Sequence, residues 1–108
     1  MDKYLLKCKL KNEPIGVLTV DIDNDTFTFT RNSKYQGCLP VFIEYPAVSM
    51  TESDSIKMWV MDRAPEPHNE LIDSLIRKIG ATEYDAYAFF KYNKGAYITD
   101  KFYVEEIE

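Results

Sequence analysis

The sequence predicts a small α+β fold: a strongly curved antiparallel sheet of four to six strands, with about three helices on one side. Three observations carry that prediction. The first half of the chain alternates apolar and polar residues with period two, which is the strand signature. After Pro46 the apolar residues recur at helical spacing. Pro, Gly, Asn and Asp stand at the junctions between these runs, where turns need them. At 108 residues, 45% of them apolar and 14% aromatic, the chain is read as one domain spanning 1–108, with enough core to fold without disulfides or metals.

Each element has its own warrant. Tyr4, Leu6, Cys8 and Leu10 share one face of a first strand, while Lys3, Lys7, Lys9 and Lys11 occupy most of the other. Asn12-Glu13-Pro14 breaks that strand, and Ile15 to Ile22 forms a second. Asp23-Asn24-Asp25 makes the turn, since Asn and Asp tolerate left-handed backbone and bond their own chain. Thr26 to Thr30 is a third strand, with Phe27 and Phe29 on one face and threonines on the other. A loop over Asn32 to Gly37 leads to a fourth strand, Leu39 to Tyr45, ended by Pro46.

Thr51 caps a helix, with Asp54 three residues on. Ile56, Trp59, Val60 and Arg63 then share a face, and the helix stops before Pro65. A strand over Ile56–Met61 is the competing reading, and the cap decides for the helix. Pro67 opens the next helix. Its apolar stripe is Leu71, Ile72, Leu75, Ile76 and Ile79, with Arg77 and Lys78 favouring the negative end of the helix dipole and Gly80 as the stop. Thr82 with Asp85 starts a third helix that runs through Phe89 and Phe90 to Tyr92 and stops at Gly95. Ala96–Ile98 and Phe102–Ile107 read as short closing strands, and Glu105, Glu106 and Glu108 make an acidic end.

Charge and composition exclude several function classes. A net charge of −5 argues against a direct nucleic-acid surface, which needs clustered Lys and Arg. The chain is too short for a kinase or a dinucleotide-binding enzyme. Its initial apolar run is too short for a signal peptide or a membrane span, so the reading is cytoplasmic. In that compartment Cys8 and Cys38 are free, buried thiols.

Candidate chemistry is sparse. Asp21, Asp23 and Asp25 echo half a calcium loop, but Thr26 stands where the turn glycine is needed and Asn32 where a bidentate carboxylate belongs. His68 lacks partners at metal-ligand spacing and reads as a solvated residue at a helix start. Asp62, Glu66 and Glu70 could supply paired carboxylates, but surface acids at a helix start are the plainer reading. Gly16, Gly37, Gly80 and Gly95 are isolated and form no phosphate loop. Tyr84, Tyr87 and Tyr92 suit a core or a protein interface. The reading is therefore non-enzymatic, with no cofactor and no metal.

Trp59, the only Trp, carries the binding hypothesis. One reading is a core residue bridging helix and sheet. The other is an exposed anchor inserted into a partner's pocket. Met58 and Met61 beside it suit an adaptable contact surface. Asp62 and Arg63 could pair locally at the helix exit or reach a partner. The candidate partner-binding residues are Trp59, Met58, Asp62 and Arg63.

The order of elements resembles a known family. A Lys-rich strand leads into PIGVLTVDIDNDTFTFTRNSKY, then Leu39-Pro40, a helix ending at WVMDRAPEP, and a helix LIDSLIRKIG. This is similar to the N-terminal subdomain of HipA-type kinases, the toxins of bacterial toxin–antitoxin modules. Gly16-Val17-Leu18, Phe27, Phe29, Tyr35, Leu39-Pro40, Asp62, Pro65 and Gly80 stand at its pattern positions, and the similarity covers about residues 4 to 95. The resemblance implies a stand-alone, HipS-like protein that binds a HipT- or HipA-like serine/threonine kinase and blocks or repositions its active site. It also implies contact with a HipB-like DNA-binding protein through the complex. Trp59 as an inserted anchor is an inference from chemistry beside that resemblance. The alternative function is a phage- or mobile-element-encoded inhibitor of another bacterial defence protein.

Overall fold

The structure is a computed structural model that describes residues 1–45, 48–97 and 100–107. Three strands open the chain: β1 (Asp2–Cys8), β2 (Gly16–Asp21) and β3 (Thr26–Arg31). Four helices follow: α1 (Val41–Glu44), α2 (Glu52–Met61), α3 (Ile72–Lys78) and α4 (Ala86–Tyr92). The last strand is β4 (Phe102–Glu106). The fold is the expected α+β class, with an open antiparallel sheet in the order β3-β2-β1-β4.

Register explains why α2 and α4 cover one face. Paired residues point to the same side of a sheet, and the pairs Tyr4 with Leu18, Leu6 with Val104, and Val20 with Phe27 bring apolar side chains together. All six are buried, with Ile56 and Val60 of α2 and Phe90 of α4 in the same core. α2 packs on β3, and α4 packs on α2. The other face is more open, with Lys7 paired to Glu105 at 3.1 Å. Leu10 does not continue the buried stripe of β1, because the strand ends at Cys8 and Leu10 is exposed.

The turn after β2 forms as its residues dictate. Asp25 adopts φ 51°, and the Asp21 carboxylate accepts a hydrogen bond from the Asn24 side chain at 2.8 Å. That bond holds the Asp21 carboxyl below the usual carboxylate range. Tyr35 is buried and pins the following loop, donating its hydroxyl to the Cys38 carbonyl at 2.8 Å. Cys8 is buried as expected, but Cys38 is exposed on that loop, which corrects the expectation of two buried thiols.

The fourth strand expected over Leu39–Tyr45 is instead one helical turn. Pro40 sits at the N-cap, and its carbonyl accepts from the Ile43 and Glu44 amides at 3.0 and 3.1 Å. A strand there would need the outer edge of β3, and the Phe27 amide on that edge already donates to Ser53 Oγ of α2 at 2.9 Å.

α2 starts where its cap predicts. The Thr51 hydroxyl accepts from the Asp54 amide at 3.0 Å. The helix expected from Pro67 begins only at Ile72. Asn69 Oδ1 accepts from the Leu71 amide at 2.8 Å, and such local bonds compete with helix formation. The stripe on α3 is not core either: no α3 residue is buried, Leu71 is exposed, and among the described residues α3 packs against no other helix or strand. Gly80, at φ 77°, ends it, with the Ala81 amide bonded to the Ile76 carbonyl at 3.1 Å and the Gly80 amide to the Arg77 carbonyl at 3.0 Å.

Asp85, not Thr82, caps α4: its carboxylate accepts from the Tyr87 and Ala88 amides at 3.0 and 3.3 Å. Ala96 and Tyr97 do not form the expected strand, and Ile98 lies outside the described residues. β4 does form, and its Val104 amide donates to the Lys94 carbonyl at 2.8 Å.

Candidate functional site

The site grows from the exit of α2. Four residues past Trp59, Arg63 returns to the same helical face. Its side chain is buried and turns inward toward the segment joining α4 to β4. Nε donates to the Gly95 carbonyl. Both terminal nitrogens donate to the two Asp100 oxygens at 2.7 Å, a bidentate fork, and one donates again to the Phe102 carbonyl at 3.0 Å. One guanidinium therefore joins α2, the end of α4 and β4.

Burial pushes the Asp100 carboxyl up. The Arg63 hydrogen bonds, the Phe102 amide and the nearby positive charges outweigh that push and leave it below its ordinary value.

Trp59 is held by this arrangement. The Arg63 guanidinium lies 4.3 Å from its ring centroid, the Phe42 ring packs at 5.2 Å and the Phe102 ring at 6.5 Å, both edge-on. The indole is only 8% exposed. This corrects the reading of Trp59 as an exposed anchor inserted into a partner. It belongs to the core cluster, and its remaining accessible edge lines a cleft. Arg63 is likewise corrected: it neither pairs with Asp62 nor reaches outward, because the Asp100 fork consumes it. Met58 and Asp62 do face solvent, one helical turn apart.

The cleft over Trp59 has a volume of about 320 Å³. Its wall contains Phe42 and Ser55, and its rim contains Val41, Tyr45, Met58 and Tyr97. The rim is apolar yet open to solvent: Val41 is 58% exposed, Tyr45 72% and Met58 48%. Asp62 stands at its polar end and also borders two neighbouring depressions, both shared with Glu66. Val41, Phe42, Tyr45, Ser55, Tyr97 and Asp100 are the site residues that sequence reasoning misses. Val41, Phe42 and Tyr45 fall in the run that reads as a strand, and nothing in the sequence signals that Asp100 will meet Arg63.

Of the acid–base candidates, Asp62 and Glu66 border the same two depressions, and His68 and Glu70 are exposed in the turn ahead of α3, whereas Cys8 is buried on the core face of β1. No group of three or more His, Cys, Asp or Glu residues able to hold a metal occurs among the described residues. A second polar cluster sits at the other end of the core. Asp2 accepts from the Tyr87 hydroxyl at 2.7 Å, and the Tyr4 and Tyr87 hydroxyls meet at 2.7 Å. Since a carboxylate only accepts, Tyr87 donates to Asp2 and Tyr4 donates to Tyr87. Burial first, then these bonds, push the Tyr87 hydroxyl far above its usual range. Among the described residues no helix is long and apolar enough to cross a membrane.

No family model, curated protein or solved structure matches this chain.

Proposed function

We propose that this chain is a non-enzymatic binding protein, a HipS-like regulator of a HipA- or HipT-family serine/threonine kinase in a bacterial toxin–antitoxin module, acting in the cytoplasm. The kinase assignment rests on the sequence resemblance. The observation that supports binding is the solvent-exposed apolar rim of Val41, Tyr45, Met58 and Tyr97 around a floor locked by Trp59 and Arg63. Apolar side chains grouped around a depression and rimmed by charge are what a protein interface presents before its partner arrives. A locked floor also spares the partner the entropy of ordering it.

In this reading Trp59 works from beneath. It gives the cleft an aromatic base and holds α1 and β4 in place, while Met58 and Asp62 make direct contact. A HipB-like protein would join through the kinase.

The test is capture of purified HipT-like and HipA-like kinases on the immobilised chain, with autophosphorylation assayed alongside. A Met58→Asp chain should lose at least about tenfold in affinity, as interface-centre substitutions do. Retention of no kinase by the wild-type chain would overturn the kinase assignment. Equal retention by Met58→Asp would overturn the location of the face.

A further inference from the structure

We infer that the cleft over Trp59 recognises a short peptide segment in which a large apolar side chain is followed, within a few residues, by Lys or Arg. This rests on reading the cleft as a binding face, and not on the kinase assignment. Three observations carry it.

The first is size. About 320 Å³ lies at the bottom of the range for small-molecule pockets. That suits one or two inserted side chains better than a cofactor. The second is chemistry. The floor offers the Trp59 ring, the wall the Phe42 ring, and the rim Met58, whose unbranched thioether adapts to varied apolar shapes. The third is charge. Arg63 is the cation nearest the floor, and the Asp100 fork neutralises it. Asp62 at the mouth and Glu66 beyond it are exposed acids, with no ion-pair partner among the described residues. Both border the depressions that continue from the cleft. Lys9 and Arg63 line one of these depressions as well; Arg63 is neutralised by the Asp100 fork, which leaves Lys9 alone against the two acids there. A chain leaving the apolar socket along this path meets net negative charge, on a protein of net charge −5. A basic residue following the apolar one matches that path.

The experiment uses the protein's own reporter. Trp59 is the only Trp, so its emission reads the floor of the cleft directly. The probes are short synthetic peptides with Leu, Met or Phe followed, after variable spacing, by Lys-Arg. Matched peptides carry Ser for the apolar residue or Glu-Glu for Lys-Arg. Proton–nitrogen NMR spectra are recorded in parallel. At least one apolar–basic peptide should give a saturable change in emission, with shifts at Met58 and Tyr97. The Ser and Glu-Glu controls should bind at least about tenfold more weakly. Met58→Asp should abolish the response. The double variant Asp62→Lys/Glu66→Lys should reverse the preference toward Glu-Glu, with both variants keeping the wild-type melting temperature.

Absence of a saturable response with every apolar–basic peptide would overturn the inference. So would equal binding of the Glu-Glu peptides. Kinase capture with no peptide binding would leave the binding reading intact and sink this one, and the reverse result would sink only the kinase assignment.

Discussion

Replacing Arg63 with Ala removes in one step the group that joins α2, the end of α4 and β4. The Gly95 and Phe102 carbonyls lose their side-chain donors, worth about 1 kcal/mol each. The indole of Trp59 loses its stacked cation, worth about 1 kcal/mol when partly desolvated. The Asp100 carboxylate loses its fork. Removing one partner of a buried pair costs about 3–5 kcal/mol, but the Asp100 side chain is 29% exposed, so water recovers part of that loss. The expected total is about 4–6 kcal/mol, a large share of the roughly 5–15 kcal/mol by which small domains are stable.

Asp100→Ala should cost more than Arg63→Ala, because the guanidinium it strands is far more buried than the carboxylate. Urea titration followed by Trp59 emission gives both values, and the double variant gives the coupling. The pH dependence has a definite sign. The folded pKa of Asp100 lies below its unfolded value of about 3.9, so the contribution is fully present above that value. It is lost as pH falls through the folded pKa. Arg63→Ala should therefore flatten the acid limb of the stability profile. A cost below about 1 kcal/mol with an unchanged urea slope would refute the picture of one locked guanidinium.

Three further outcomes follow from burial and geometry. Trp59→Ala should cost about 3–5 kcal/mol by cavity formation, and wild-type emission should be blue-shifted and poorly quenched by iodide. A variant that melts like wild type would return Trp59 to the surface. Gly16→Ala should destabilise by about 1–3 kcal/mol through overpacking, because a Cβ there would strike the Thr30 carbonyl and come within 2.5 Å of Phe29 Cζ; unchanged thermal stability would contradict that packing. Tyr87→Phe should lessen alkaline unfolding. Folded Tyr87 stays protonated well above pH 10 while the unfolded chain ionises near 10, so wild-type stability falls as pH rises past 10. A profile that is flat between pH 9 and about 11 would remove Tyr87 from the buried cluster.

The parts of this fold written in local pattern were legible, and the parts written in contact were not. Alternation placed β1, β2 and β3, and Thr51 placed the start of α2, because strand period and capping act over a few residues. Leu39–Tyr45 misled because a short apolar run has no period to distinguish one helical turn from a strand. The availability of a sheet edge decided it, and that depended on Ser53. The stripe on α3 misled in another way: helical spacing records amphipathicity, not what the apolar side meets. At the site, the tract around Trp59 was recognisable as unusual. The sense of Trp59 was not, since an indole serves equally as plug or floor until Arg63, Phe42 and Phe102 are seen around it. Asp100, 37 residues from Arg63, leaves no trace in spacing.

α2 also acts as a ruler. Ser53 at its start meets the outer edge of β3, and Arg63 just past its end meets β4 on the opposite margin of the sheet. Ten residues of helix advance about 15 Å, and three inter-strand gaps of about 4.8 Å come to about 14 Å. The helix is as long as the sheet is wide, and side chains at its two ends occupy backbone groups on both margins. A strand from another molecule seeking to extend the sheet must first displace Ser53 on one side, or Arg63 with its Asp100 fork on the other. Exposed margins are where sheet proteins polymerise and exchange strands. Inserting one residue within α2 would shift the two clasps out of phase, by about 100° of rotation, and release at least one of them, although the Lys94 carbonyl would still hold the Val104 amide on the β4 margin. The same rotation would turn Ile56, or Trp59 and Val60, away from the core, so such a chain should lose packing together with its guard against strand addition.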